Sequence, residues 1–365
     1  MLHPFVQTLC GITLAVGLFG PCLPPAAAQV RSDEAVLLFP TAARLNESGD
    51  AWIVPIHGWI FEPERNSFSR RAVIHQLIDE LDLDDDDHRE AARILTARAR
   101  WLLVDNERGK RIEIGIGDRQ YSMPPSAEDG HFEDALELPV DFVQQHADDG
   151  RLSCRVVLDD DDDRQFVGTV TLVPNTGLTI ISDLDDTVKI SEVVNRKRLL
   201  QRTFIEPFEA VPGMAGRYQA WHADGALIWF LSASPWQLYS PLQTFLDESR
   251  FPPAVWEMKR LRLVDGTVRR LFADAYEYKL GRIAAILDSF PERTFVLIGD
   301  SGEKDPENYG VTARRYPDQI VHVAIRNVTD EPPIAERFQS AFHDVPADRW
   351  QVFLDPAEVE LPAAE

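Results

Sequence analysis

The chain is poor in cysteine and in positive charge and has no long apolar run, and each shortage removes a class of answer. It holds three cysteines in 365 residues. Cys10 and Cys22 fall in the first 28 positions, which leaves Cys154 alone and excludes a disulfide-stapled scaffold. Without a Cys-His pattern around it, Cys154 reads as a packed strand residue. Lys and Arg number 37 against 60 Asp and Glu, a formal net charge of -23. Such a field repels nucleic acid and anionic membranes, so no nucleic-acid partner is expected and an anionic substrate must be met locally. The nine histidines show no H-x-H or H-E-x-x-H spacing, which removes the usual zinc sites. Internal repeats are also missing, and nothing implies an oligomer. What remains, at 44% hydrophobic and 27% charged residues, is an ordinary folded chain long enough for about two domains.

No Asp, Glu, Lys or Arg occurs in residues 1–28, where the apolar stretch Leu9 to Gly20 is too short to span a bilayer and is followed by Ala26-Ala27-Ala28. This predicts a signal peptide over 1–28 and an exported chain, periplasmic or secreted, with no transmembrane span once it is removed. The n-region lacks Lys and Arg, so a retained anchor stays open as the alternative.

Residues 29–175 mix short apolar runs (AVLLF, WIVPIHGWIF, RIEIGI) with helical periodicity over Arg71 to Leu83 and His88 to Trp101, which predicts a smaller β-rich α+β domain. The acid runs Asp84 to Asp87 and Asp159 to Asp163 lack EF-hand order and read as solvated loops. After Asn175 the text alternates helices with runs apolar on both faces: LTIIS from Leu178, ALIWFL from Ala226, TFVLI from Thr294 and IVHVAI from Ile320. That pattern belongs to an α/β fold, a doubly wound parallel sheet over residues 176–330, with 331–365 as a C-terminal helix and docking tail. One helix is opened near Pro241, another runs from Lys279 to Phe290.

Chemistry in such sheets sits at the carboxyl ends of the strands. The first strand is followed by Asp183-Leu184-Asp185-Asp186-Thr187, the second ends in Ser232, Lys279 opens a helix, and the third strand ends in Gly299-Asp300-Ser301-Gly302-Glu303-Lys304-Asp305. Carboxylates grouped behind a buried strand suit a hard divalent cation and an aspartate nucleophile, while an acidic helix cap is the plain alternative. A serine and a lysine at such ends suit phosphoryl oxygens, although a helix cap and a surface lysine are common. GDSG resembles a trypsin-type motif only in part, since Glu303 replaces the second glycine.

The four positions together resemble the haloacid dehalogenase superfamily, and SDLDDTVK, LSASPWQLY and LIGDSGEKDPENYG resemble the App1 family of phosphatidate phosphatases, related to the lipins. The resemblance implies a Rossmann-like sheet with a small cap and a Mg2+ cofactor. It implies Asp183 as nucleophile and Asp185 as general acid and base, the latter needing a raised pKa. Asp300 and Asp305 would complete the metal shell with Asp183 and the Asp185 carbonyl, and Ser232 and Lys279 would grip phosphate. The implied reaction is hydrolysis of phosphatidate, or a related phospholipid monoester, at a membrane surface. The same phosphatase mechanism on a soluble phosphoester or phosphoprotein remains open, as does a binding module without turnover.

Between Asp183 and Pro212 a segment carries Arg196, Lys197, Arg198 and Arg202 among Leu199, Leu200, Phe204 and Ile205. Such a helix suits a lipid headgroup and acyl chains; a cap helix packed on the core has the same pattern. A second basic group comprises Lys259, Arg260, Arg262, Arg269 and Arg270.

Overall fold

The computed structural model describes residues 30–63, 88–260 and 275–361. The expected leader, the helix over Arg71 to Leu83, the acid run Asp84 to Asp87, and Arg262, Arg269 and Arg270 lie outside the described residues.

Among the described residues the amino-terminal part has ten strands: β1 (Ala35–Leu38), β2 (Thr41–Leu45), β3 (Ala51–Glu62), β4 (Asp105–Asn106), β5 (Glu113–Ile116), β6 (Arg119–Ser122), β7 (His131–Pro139), β8 (Ala147–Asp148), β9 (Arg151–Val156) and β10 (Val167–Leu172). Their path runs β1-β3-β2-β10-β9-β5-β6, almost all antiparallel, with β7 and β4 also on β3. Residues alternate between core and solvent along β9, as they do in a sheet with one wet face. Cys154 points inward there, and burial pushes its thiol up to about 11, which makes it an inert core residue. Asp159 to Asp163 form an exposed turn in which Asp162 pairs with Arg164 at 2.5 Å. Helix α1 (His88–Leu102) buries Ala91, Leu95, Ala99 and Leu102, one helical stripe. That stripe joins a hydrophobic core shared by the second sheet and by Phe39, Trp59 and Phe61 of the amino-terminal part. A short helix, α2 (Val140–His146), follows β7.

The second sheet has six strands, all parallel: β11 (Leu178–Ser182), β12 (Leu227–Pro235), β13 (Val255–Lys259), β14 (Thr294–Asp300), β15 (Ile320–Arg326) and β16 (Trp350–Phe353). Its order is β13-β12-β11-β14-β15-β16, a doubly wound arrangement whose direction reverses between β11 and β14. The sequence marked four of these strands and passed over β13 and β16. Crossovers are α3 (Arg196–Phe204), α4 (Met214–Ala223), α5 (Tyr239–Glu248), α6 (Ala275–Ser289), α7 (Asp305–Arg315) and α8 (Glu336–Ala341). Helix α6 is described from Ala275 onward, so Lys279 stands at least one turn inside it rather than at its opening. Pro241 lies in the first turn of α5, where a missing N–H costs nothing. The carboxyl-terminal tail does more than dock, since β16 extends the sheet beside β15.

Helix α3 turns its apolar residues inward. Leu199, Leu200, Phe204 and Ile205 are all buried, because α1 covers them and Arg98 donates to the Thr203 carbonyl at 2.7 Å. The idea that they dip between acyl chains is therefore corrected: this is the packed cap helix.

Between the sheets, His57 Nε2 and His131 Nδ1 lie 3.0 Å apart among Phe39, Trp59 and Trp236. Burial holds both imidazoles neutral, His57 well below the ordinary histidine value and His131 at about 4, with Arg260 pressing the same way and Asp129 opposing at His131. A histidine depressed in the fold contributes stability above the unfolded value near 6.5 and loses it as pH falls toward 4. Acidification through that window should cost about 1.4 kcal/mol per pH unit at His131, about 3 kcal/mol in all. Urea midpoints of the wild type and His131→Phe, compared between pH 7 and 4.5, should diverge in slope; parallel curves would show that the pair is not neutral.

Candidate active site

The crossovers leave β11 on one side and β14 on the other, which opens a crevice above their carboxyl ends. Asp183 follows β11, and its N–H donates to the Ile298 carbonyl of β14 at 2.9 Å, fixing the residue over the switch point. Its carboxylate is buried with those of Asp300 and Asp305, Glu303 lies half-buried beside them, and one ligand oxygen from each of the four lies within 4.8 Å of the others. Lys279 reaches into this group from α6, 2.9 Å from Asp183 Oδ1, 2.6 Å from Glu303 Oε2 and 2.7 Å from Asp305 Oδ1. The ammonium is 1% exposed.

Four carboxylates around one cation leave a surplus of negative charge. Burial raises Asp183 well above the usual carboxylate range; Lys279 opposes, and Asp305, Glu303 and Asp300 add to the rise. Asp300 is raised in the same way, by burial first and then by Asp305 and Glu303. Burial works against the charge on Lys279, yet Asp183, Asp305 and Glu303 outweigh it and hold its pKa well above the ordinary lysine value. Asp183 Oδ2 and Asp300 Oδ2 are buried without a hydrogen-bond partner. Two orphaned carboxylate oxygens in an oxygen-only cluster fit a hard divalent cation.

The loop after β14 is shaped for this grouping. Asp300 Oδ1 accepts the N–H groups of Gly302 at 2.6 Å and Glu303 at 3.0 Å, and the Asp300 N–H donates to Asp305 Oδ2 at 3.3 Å. A Cβ on Gly299 would stand 2.3 Å from Asp305 Oδ2, so only glycine lets that carboxylate approach.

Asp185 is placed otherwise. Its carboxylate lies outside the cluster, 2.8 Å from Lys189 Nζ, with Ser191 Oγ donating at 2.6 Å and Ser234 Oγ at 3.4 Å. Burial favours the neutral acid, but Lys189, the Ser191 hydroxyl and the charge of Lys279 outweigh it and lower the pKa. The raised value expected from the sequence is therefore corrected: Lys189 supplies a charge that the sequence reading did not include. Asp186 sits at a positive φ of 52° and accepts the N–H groups of Ser191, Glu192 and Val193 at 2.7 to 2.9 Å. It pins the hairpin that brings Lys189 and Ser191 to Asp185.

Ser232 is fully buried on β12, where the register slips before Pro235, and its Oγ accepts the Ser234 N–H at 3.1 Å. Of the basic residues on α3, Arg196 and Lys197 are exposed. Arg198 pairs with Glu192 at 2.9 Å and Glu206 at 2.7 Å; Arg202 pairs with Glu192 at 3.0 Å and Glu209 at 3.1 Å. The structure thus gathers Asp183, Lys279, Asp300 and Asp305, sets Asp185 and Ser232 beside them, and pairs Arg198 and Arg202 with acids. Glu303, Lys189, Ser191 and Ser234 were missed. Glu303 alone had a sequence signal, being an acid inside the Gly299 to Asp305 loop.

Residues 178–327 match the family model described as phosphatidate phosphatase APP1, catalytic domain. An uncharacterised protein of Schizosaccharomyces pombe is 28% identical over 173 residues, covering 46% of this chain and 28% of its own length. Phosphatidate phosphatase APP1 of Saccharomyces cerevisiae is 28% identical over 187 residues, covering 46% of this chain and 30% of its own. The chain thus spans less than a third of the length of these relatives. A solved structure from Thermotoga maritima, provisionally assigned as a β-phosphoglucomutase, matches 50% of this chain and 96% of its own at 12% identity; its TM-score of 0.30 adds nothing to what the strand order shows.

Proposed function

Residues 178–327 are an App1-like catalytic domain, and from that premise we propose that the chain is a Mg2+-dependent phosphatase. Its substrate would be phosphatidate, or a related phospholipid monoester, and its products diacylglycerol and phosphate. The observation that carries the reading is the buried Asp183 carboxylate, with Oδ2 unpartnered, among Asp300, Glu303 and Asp305. These residues, with the Asp185 carbonyl that the family resemblance implies, would hold the metal. When bound, Mg2+ supplies the charge neutralisation that lets an anion meet a phosphate.

Asp183 would attack phosphorus, and the bond from phosphorus to the lipid oxygen would break. Asp185 would protonate the leaving oxygen and later take the proton from water. As found it is ionised, ready for the second task; a phosphate dianion beside it drives proton uptake, which the first task needs. Ser232 and Lys279 would meet phosphoryl oxygens, Lys279 already lying 2.9 Å from the nucleophile.

A lipid substrate draws support from the rim. Among the described residues the exposed large hydrophobics are Val167, Val194, Ile334 and Leu354. Three of the four follow β11, β15 and β16 at the carboxyl edge where Asp183 stands. The exposed Arg196 and Lys197 lie beside Val194. No described helix is long and apolar enough to cross a membrane. A soluble phosphoester is the second reading, favoured by the pairing of Arg198 and Arg202 with acids. Export belongs to the proposal and is checked by locating the amino terminus of the mature chain.

Phosphate release from phosphatidate in mixed micelles, run beside soluble phosphomonoesters with Mg2+ or EDTA, tests the reading. We expect release from the lipid to exceed that from soluble esters at least tenfold and to vanish with EDTA. Hydrolysis of soluble esters alone would transfer the proposal to the second reading.

A further inference from the structure

Three of the four clustered carboxylates, those of Asp300, Glu303 and Asp305, come from one short turn between β14 and α7. Like charges at this spacing push such a turn apart, so its backbone has to be held from outside the cluster.

The turn's N–H groups are taken by Asp300, whose Oδ1 accepts Gly302 and Glu303. Its carbonyls are taken by Arg337, in the first turn of α8. Nη1 donates to the Ser301 carbonyl, and Nη2 donates to the Glu303 carbonyl at 2.6 Å. The same guanidinium meets Glu307 of α7 through Nε at 2.9 Å and Nη2 at 3.1 Å, and Glu331 through Nη1 at 3.3 Å. Ser301 is fully buried and adds a second tie. Its Oγ accepts the N–H groups of Val328 at 2.9 Å and Thr329 at 3.1 Å, and its N–H donates to the Arg326 carbonyl at 2.9 Å.

A planar fork that reaches two carbonyls two residues apart fixes the path of the main chain between them, which a point charge cannot do. Glu303 is thereby gripped at both ends, by Arg337 at its carbonyl and by Lys279 at its carboxylate, 2.6 Å away. On its other side the turn is bounded by the hairpin after β11, because a Cβ on Gly302 would stand 2.6 Å from Val193 Cγ2. The acids that Arg337 pairs with, Glu307 and Glu331, are not members of the cluster. Its charge would by itself weaken the hold of the site on a cation, so its contribution there is geometric. Arg337 also stands outside residues 178–327, which makes the carboxyl-terminal segment part of the site's frame.

We propose that Arg337 is a positioning residue: it braces the turn so that Asp300, Glu303 and Asp305 are presented ready-made to the divalent cation. This role rests on the metal-dependent reading above. A partner one step behind the metal ligands is worth about 10- to 100-fold in metal affinity when removed.

The test uses the full chain and Mg2+ alone, with calorimetry below the melting temperature of each protein and hydrogen exchange in EDTA. Arg337→Met is expected to bind Mg2+ at least tenfold more weakly than the wild type, although it loses a positive charge. Peptides covering Ser301 to Lys304 should exchange at least tenfold faster. Arg337→Lys, which keeps the charge and loses the fork, should show the same two losses, and it decides the matter if the methionine variant does not fold. Arg314→Met is the control. It removes bonds to the carbonyls of Ala341 at 2.8 Å and His343 at 2.9 Å, at the far end of α8, and should leave affinity and exchange within twofold of the wild type. Equal or tighter Mg2+ binding by the Arg337 variants, unchanged exchange, or an equal loss in Arg314→Met would overturn the brace while the metal site stands. A wild type that binds no Mg2+ would overturn the metal-dependent reading and this role with it.

Discussion

Asp183→Asn should release no measurable phosphate from any ester and should melt no lower than the wild type. The first half follows from the proposed role of Asp183 as nucleophile: a neutral amide cannot form an aspartyl-phosphate, and loss of a covalent nucleophile costs about 10^4-fold or more in turnover. The second half follows from charge. Asp183 is 2% exposed, and its acid is pushed well up by burial and by Asp305, Glu303 and Asp300. An isosteric amide removes one of four crowded carboxylates, while Lys279 keeps Glu303 at 2.6 Å and Asp305 at 2.7 Å. Most substitutions of a buried, hydrogen-bonded group lower stability; here the lost contact with Lys279 is set against relieved repulsion. Phosphate release and thermal unfolding on the same preparation decide the matter. Turnover above 1% of wild type would place the nucleophile elsewhere, and a fall of several degrees would mean that the ion pair outweighs the repulsion.

The strands that carry the site were legible because they are apolar on both faces. LTIIS and TFVLI have no other home than the middle of a covered parallel sheet. Strand β13 was not, since Glu257 and Lys259 interrupt its run and pair only in the folded chain. The acids behind β11 and β14 could be read from position alone, because charge directly after a buried strand needs a partner. What Asp185 does could not be read, for its pKa is set by burial against Lys189 and Ser191, which only the folded chain brings to it. Helix α3 shows the limit most plainly. An apolar stripe meant for the core and one meant for lipid have the same period, and only α1 packing against Leu199 and Leu200 separates them.

Lys279→Met is expected to have the largest effect on stability, and one that a divalent cation reverses in part. Methionine keeps the volume and removes the cation that contacts Asp183, Glu303 and Asp305. A buried charge left without its partner costs about 3 to 5 kcal/mol, which for a chain of this size is roughly 4 to 7 °C in Tm. The pH dependence has a definite sign. Asp183 and Asp300 already hold protons more tightly in the fold than in the unfolded chain, because burial and neighbouring acids raise both. Stability is therefore penalised above their folded pKa values and recovers as pH falls toward the ordinary carboxylate range; without Lys279 that recovery should be steeper. On the proposed reading Mg2+ would bind the folded cluster alone, and a concentration a hundredfold over its Kd would then return about 2.7 kcal/mol. Melting curves of wild type and variant, in EDTA and in Mg2+ at pH 7.5 and 5.5, measure all three terms. A variant that melts like the wild type in EDTA would show that the four carboxylates are not held ionised together. Activity should stay low even where Mg2+ restores the fold, because methionine offers no donor to a phosphoryl oxygen. The double variant Lys279→Met with Asp305→Asn should melt higher than Lys279→Met alone, since the second substitution removes one of the charges the first leaves unpaired.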